Sequence, residues 1–262
     1  MNSNKIALID SDSLLYINLY NKKDTIPKTL EECKASLDNY IYKIIFTTEA
    51  THFLLFLTLG KNFRYEIKSD YKGNRKSDKP LYFEECREYL IDKYQAIFNH
   101  DLEADDLCLI YSNNIPSSFI CACDSDILEG LEGSHFNYKK FEWIITSKEQ
   151  ANYKFWSSMI TGTHNGISGL KGKGEVYAKK IFLGTGLTWK ITHDNDLCRT
   201  RTFNEYIDFY KDESIAIEEF YRNYKCIKIL DKYENLEIKA PIEYNRAQYI
   251  DNNVKEENIE EW

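Results

Sequence analysis

The stretch "KIALIDSDSLLY", Lys5 to Tyr16, decides how the chain begins to fold. Ile6 to Ile9 form an unbroken apolar run that stops at Asp10, the signature of a strand buried on both faces. The following residues, "DSDSLLYINLY", can enter a helix. Further along, "THFLLFLTL" (51–59) repeats the buried-strand pattern, and "SSFICACDSD" (117–126) repeats it again, with acids at its end. Helical periodicity fills the intervals. "TLEECKASLDNYIYKIIFTT" (29–48) opens with Thr29 and Glu32 in capping-box spacing. "LYFEECREYLIDKYQAIF" (81–98) reads as one amphipathic helix, "EADDLCLIYSNN" (103–114) as another, and "EWIIT" (142–146) as a further strand. Strands alternating with helices predict an α/β fold with a mostly parallel sheet flanked by helices. From Lys148 onward the pattern is helical and irregular, as in a small helical subdomain.

The bulk numbers fit this. A chain of 262 residues makes one large domain or two small ones, and 43% hydrophobic with 15% aromatic content is enough for a core. No run of about eighteen apolar residues predicts a membrane helix, and "MNSNKIALID" does not read as a signal peptide. The expectation is a cytoplasmic protein with no membrane partner. Seven cysteines, an odd number without a CxxC pair, read as reduced small hydrophobes rather than zinc ligands. A net charge of −8 does not suggest a polyanion binder, but the charge is segregated. Lys61 to Pro80 holds seven basic and three acidic residues, Leu170 to Lys180 holds four Lys and one Glu, and the tail after Asp251 is acidic.

The acids raise the functional question. In "LEADDLCLIY", Glu103, Asp105 and Asp106 crowd just ahead of an apolar run. Carboxylates there serve the start of a helix. Equally, they can hold a hard cation such as Mg²⁺. Asp10, Asp12, Asp124 and Asp126 all fall at the carboxyl ends of predicted strands, the edge where open α/β sheets bind ligands. The helix led by Glu103 precedes the strand ending at Asp124, so its start points to the same edge. The clusters are therefore expected to converge into a metal site, because so many carboxylates repel one another without a cation. Asp12 reads equally as a helix cap, and His164 more readily as a solvated residue.

"ALIDSDSLLY", "FRYEIKSDYKGNR", "LEADD", "CACDSD" and "GISGLKGKGEVYAKKI" occur in this order. Together they resemble the 5′-nuclease family, the flap endonucleases and 5′–3′ exonucleases, above all of the bacteriophage type. The resemblance covers roughly residues 5 to 232. It implies a PIN-like core over 1–147 with a helical arch at about 61–80. It also implies a helix–three-turn–helix DNA-binding subdomain and return to the core over 148–232, followed by an acidic extension over 233–262. It implies Asp10, Glu103, Asp105, Asp106, Asp124 and Asp126 as metal ligands, with Lys72 and Arg75 meeting the scissile phosphate beside Asp10, Glu103 and Asp124. DNA contacts are expected at Arg64, Tyr71, Lys72 and Arg75 of the first basic stretch. In the second stretch they are expected at Gly169, Lys171, Gly172, Lys173, Gly174 and Lys179.

The implied function is hydrolysis of phosphodiesters at 5′ ends or flaps in DNA replication, with Mg²⁺ or Mn²⁺, and K⁺ at the glycine turn. The implied partners are branched or 5′-ended DNA, an RNA/DNA hybrid, and replication proteins reached through the C-terminal tail, for a monomer. The pattern departs from the family where "TGTHNG" (161–166) puts Gly162 and Asn165 in place of two aspartates, and where "FLTLGKN" lacks one near Thr58 or Gly60. The second metal site is thereby incomplete, with Asp12, His164 or Asn165 as candidate substitutes. The other reading is a non-cutting protein of the same fold that binds DNA junctions.

Overall fold

A computed structural model describes residues 4–19, 28–73, 78–183 and 192–244. Arg75 and the acidic tail lie outside the described residues. Five strands run parallel: β1 (Ile6–Asp10), β2 (His52–Thr58), β3 (Ile97–Asn99), β4 (Ser118–Ala122) and β5 (Gly133–Asn137), in the order β3-β2-β1-β4-β5. β6 (Glu142–Thr146) pairs antiparallel with β5, and β7 (Ile242–Glu243) pairs antiparallel with the start of β2. The period-2 alternation of the strands divides the core in two. Ala7, Ile9, Phe53, Leu55, Leu57 and Cys121 face one apolar layer, built with α1 (Asp12–Leu19), α2 (Leu30–Thr48) and α4 (Phe83–Tyr94). Leu8, Leu54, Phe56, Ile120 and Ala122 face the other, built with α5 (Ala104–Asn114) and α6 (Ser125–Leu128).

The capping box forms as the spacing predicts. Thr29 Oγ1 accepts from the Glu32 N–H at 3.3 Å, and Glu32 Oε2 accepts from the Thr29 N–H at 2.7 Å. The helix expected over 81–98 ends early. Gln95 takes a left-handed φ of 49°, and Ile97–Asn99 pair with Phe56–Thr58 as β3. In the first basic stretch only Arg64–Ile67 is helical (α3) among the described residues.

A helical layer follows the sheet: α7 (Lys148–Thr161), α8 (Glu175–Phe182), α9 (Asn195–Tyr210) and α10 (Glu213–Ile227). It has its own core around Trp156, Met159, Phe182, Tyr206 and Phe220. The chain then returns to the sheet, and it stays there beyond the boundary expected at 232. Ile229, Leu230, Tyr233, Leu236 and Ile238 pack on the second apolar layer before β7 forms. No described helix is long and apolar enough to cross a membrane.

Candidate active site

β1 lies between β2 and β4, and the order of connection reverses there, which opens a crevice at the carboxyl ends of the strands. Asp10 ends β1 at this crevice and is buried, 6% exposed. Its Oδ1 accepts from the Asp12 N–H at 3.2 Å. Asp12 begins α1, but its carboxylate turns to β2 instead of capping the helix: Oδ1 accepts from the Thr58 N–H at 3.0 Å. The Thr58 hydroxyl oxygen in turn accepts from the Ala104 N–H, the first residue of α5, at 2.9 Å. Thr58, where the resemblance leaves a missing aspartate, thus ties the ends of β1 and β2 to the start of α5. Burial first, and the neighbouring carboxylates after it, push Asp10 and Asp105 well above the ordinary carboxylate pKa. Burial also raises Asp12, against the hydrogen bonds from Thr58.

Glu103 is the N-cap of α5, 3% exposed, and closely partnered. Its Oε1 accepts from the Asn62 amide at 2.8 Å and from the Lys72 ammonium at 2.5 Å, and Oε2 accepts from the Tyr71 hydroxyl at 3.2 Å. Burial alone would raise its pKa, but Lys72 and Arg64 outweigh burial and hold it below the usual value. Lys72 acts electrostatically on Asp10, Asp12, Asp105 and Asp126 as well as on Glu103. The acids at the end of β1, at the start of α5 and after β4 therefore lie within electrostatic reach of one ammonium group, which touches Glu103.

Asp106 belongs to a different arrangement. It is fully buried, and it takes two hydrogen bonds from Arg64, Nη1 to Oδ2 at 2.6 Å and Nη2 to Oδ1 at 2.8 Å. The N–H groups of Glu103 and Leu230 occupy its remaining lone pairs at 3.1 and 2.8 Å. Arg64, 1% exposed, also donates to the carbonyls of Cys226 and Lys228. Two residues expected at the site are thus engaged elsewhere: Asp106 has its lone pairs occupied and Arg64 is buried, and the pair ties α5 to the returning chain. Tyr71 is engaged likewise: it is 3% exposed and packs against Ile167 and Cys226.

Asp124 and Asp126 follow β4. Asp124 caps α6, accepting from the Asp126 N–H at 2.8 Å. Burial, then Asp124, raises the pKa of Asp126, against Lys154 and Lys72. Lys154 of α7 lies 3.9 Å from Asp126 and donates to Ser125 and Glu129. These side chains line a groove of about 1120 Å³ together with Thr161, His164 and Asn165. Gly162, in place of an expected aspartate, has φ 84° and ψ −179°. A Cβ there would lie 2.5 Å from the Ile167 carbonyl oxygen and 2.6 Å from the Gly169 nitrogen. The backbones of 162 and 169 cross so closely that Gly169 is likewise closed, its Cβ falling 2.2 Å from the Thr161 carbonyl carbon. Gly169 is therefore a packing glycine.

Beyond it the turn opens. Cβ atoms at Gly172 and Gly174 would meet nothing within 4 Å, and Lys171 and Lys179 are exposed. Lys173 is not free for phosphate. Its ammonium donates to Glu205 Oε2 at 2.6 Å, beside the Tyr177 hydroxyl at 2.7 Å from the same oxygen. Lys179 keeps an exposed partner one turn back, Glu175 at 3.3 Å.

Sequence reasoning gave no role to Asn62 or Lys154 and marked Thr58 only as the place of a missing acid. Thr58 ends β2 and Asn62 lies two residues ahead of α3, and only the fold shows what they touch. As donors, Asp10, Glu103, Asp105, Asp124 and Asp126 fit a hard divalent cation in kind: all oxygen, and several pushed up by burial and mutual repulsion. Among the described residues, however, no group of three or more His, Cys, Asp or Glu side chains is arranged ready to hold an ion. The donors are right and gathered, and the cage is not preformed.

No protein-family pattern and no curated protein sequence matches the chain. Solved structures do. The chain is similar to the bacteriophage T5 flap endonuclease in a pseudo-enzyme–product complex with DNA and metal ions. That likeness has a TM-score of 0.54 at 14% identity and covers 86% of this chain and 99% of that one. It is similar to the T5 protein co-crystallised with metal ions, at TM-score 0.54 and 15% identity, covering 86% and 100%. A mutant of the T5 5′-exonuclease gives 0.54 at 13% identity over 86% and 100%. At such identities the likeness speaks for the fold, and the fold of this chain is that of the 5′-nuclease family, a PIN-like, mostly parallel sheet flanked by helices.

Proposed function

We propose that the chain is a structure-specific 5′ nuclease that hydrolyses phosphodiesters at 5′ ends or flaps of DNA. The observation that carries this reading is the Lys72 ammonium set on Glu103 at 2.5 Å, within electrostatic reach of Asp10, Asp105 and Asp126 at the sheet's reversal point. The similar T5 structures were obtained with DNA and metal ions or with metal ions, which supports the same chemistry here. Asp10, Glu103, Asp105, Asp124 and Asp126 would hold Mg²⁺ or Mn²⁺. Such an ion, when bound, polarises a phosphoryl oxygen and makes water a better nucleophile at neutral pH.

The chain's own residues do the rest. Thr58 and Asn62 hold the carboxylates of Asp12 and Glu103 in place at the crevice. Lys72 offers a positive charge to the phosphate oxygens as charge grows on them. Arg75 is assigned the same role from the sequence. Lys171 and the open backbone at Gly172 and Gly174 grip the phosphates of the duplex stem, where contacts carry no sequence information.

The test is cleavage of a 5′-flap duplex by the purified chain in Mg²⁺ or Mn²⁺, with product sizes followed over time. Metal-dependent products that vanish with Asp124→Ala, by at least a hundredfold in rate, are expected. No cleavage in either metal, with wild type and Asp124→Ala alike, would end the nuclease reading. The runner-up, a junction-binding protein that does not cut, draws on two observations: Gly162 and Asn165 stand where acids are expected, and among the described residues no three acids are arranged for an ion. It requires flap binding that EDTA leaves unchanged, without turnover.

A further inference from the structure

Lys72 is held as few surface lysines are. Its backbone takes a left-handed φ of 56°, and its N–H donates to the Asn165 carbonyl at 2.9 Å. The loop that lacks the expected acids therefore anchors the base of the basic stretch instead. From this anchor the ammonium enters the carboxylate crevice, its side chain only 17% exposed, and meets Glu103 at 2.5 Å. Glu103 is saturated there by Lys72, Asn62 and Tyr71, with Arg64 3.5 Å away. The neighbouring acids Asp10, Asp12 and Asp105 have no ion pair of their own among the described residues; Lys72 lowers the pKa of all three, with Arg64 acting more strongly on Asp105. A buried group of carboxylates without a counter-ion is strongly unfavourable. The ammonium on Glu103 fits that role, and among the described residues no three acids stand ready for an ion.

We infer that Lys72 is the resident counter-ion of the crevice, and that it competes with a divalent cation for Glu103 until a DNA phosphate draws it out. The inference rests on the nuclease reading only for the identity of the polyanion. Lys72 then does two things in sequence. Without DNA it keeps the acids folded together and disfavours the ion. With DNA it turns to the phosphate, and Glu103 becomes available. DNA and ion therefore bind with positive coupling, which linkage makes reciprocal.

The test is Mn²⁺ titration by calorimetry on the full chain without DNA. The variants are Lys72→Met, Lys72→Gln and Lys72→Arg. Lys68→Met serves as a control that removes the same charge from a lysine paired with Asp70 at 3.1 Å. Lys72→Met and Lys72→Gln are expected to bind Mn²⁺ at least tenfold tighter than wild type. Lys72→Arg and Lys68→Met should stay within threefold. Mn²⁺ should also raise the Tm of Lys72→Met more than that of wild type, because a ligand stabilises in proportion to its occupancy of the native state. Adding saturating flap duplex should tighten Mn²⁺ binding tenfold in wild type and less than threefold in Lys72→Met.

Affinity unchanged in both neutral variants, absent Mn²⁺ binding in them, or an equal gain in Lys68→Met would each overturn the inference. Because these are binding readouts, they separate from the cleavage test. Failed cleavage with tighter Mn²⁺ binding by Lys72→Met removes the nuclease reading and leaves the counter-ion in place. Cleavage by wild type with unchanged Mn²⁺ binding does the reverse.

Discussion

Arg64 and Asp106 form a bidentate pair with almost no solvent contact, and four further hydrogen bonds saturate the two side chains. A pair of this kind adds little over an apolar contact, but losing one partner strands a charge, at a cost of roughly 3–5 kcal/mol. Arg64→Met should therefore lower unfolding free energy by about that amount, measured by urea titration, and the double change Arg64→Met with Asp106→Leu should recover part of it. A loss under about 1 kcal/mol would mean that Asp106 finds another cation, contrary to the geometry. Gly162 makes the opposite kind of demand. Its φ of 84° with ψ of −179° belongs to a region essentially confined to glycine, and backbone atoms 2.5 and 2.6 Å away exclude a Cβ. Restoring the expected acid by Gly162→Asp should cost more than about 2 kcal/mol and displace the 162–169 crossing. Asn165→Asp meets no such obstacle and should fold like the parent; thermal unfolding of the two variants checks the contrast.

At the scale of elements, the glycine turn separates lysines that look alike in sequence. Lys171 is exposed, whereas Lys173 is tied to Glu205 of α9 with Tyr177 alongside. If the turn grips DNA, Lys171→Ala should reduce the slope of log affinity against log salt by about 1, as one lost phosphate contact does. Lys173→Ala should leave that slope unchanged and instead lower the Tm through the α8–α9 contact. Equal slope changes for both would show that Lys173 leaves Glu205 for phosphate. The same comparison explains what the sequence discloses. β1, β2 and β4 are legible because each is buried on both faces and reads as an unbroken apolar run ending in acids or polar residues. β3 is not: it has three residues and follows a helix whose stop, Gln95 in a left-handed conformation, carries no glycine signal. β5, "GSHFN", has too few apolar residues to show a period. The acids of the site are legible because they cluster at strand ends. The partners that decide their roles are not, because Thr58, Asn62 and Arg64 acquire meaning only when distant segments meet, and a basic stretch shows nothing of which cation will be buried.

At the scale of the whole molecule, the sheet depends on chain that the sequence assigns to an extension. After α10 the backbone crosses the second apolar layer, where Leu230 donates to Asp106 and Tyr233 to Asp101 at 2.7 Å. The Tyr111 hydroxyl donates to the Glu237 carbonyl and accepts from the Lys239 N–H, both at 3.2 Å, and Tyr244 donates to the Thr51 carbonyl at 2.8 Å. Tyr233, Leu236, Ile238 and Ile242 cover apolar surface that would otherwise face water. Half-burying four such side chains is worth at least roughly 3 kcal/mol at about 1.5–3 kcal/mol for each one fully buried. A chain ending at Lys232 should thus unfold at clearly lower urea than one ending at Tyr244, by about 3 kcal/mol in free energy. The weakness should also appear at the site, because α5 carries Glu103 and Asp105 and the removed segment holds it through Tyr111, and holds the turn ahead of it through Asp101. Hydrogen exchange at the Ala104 and Leu107 amides should quicken in the shorter chain. If the two chains were equally stable and equally protected there, the return segment would be a passive cover, and the placement of the acids would rest on the sheet and Arg64 alone.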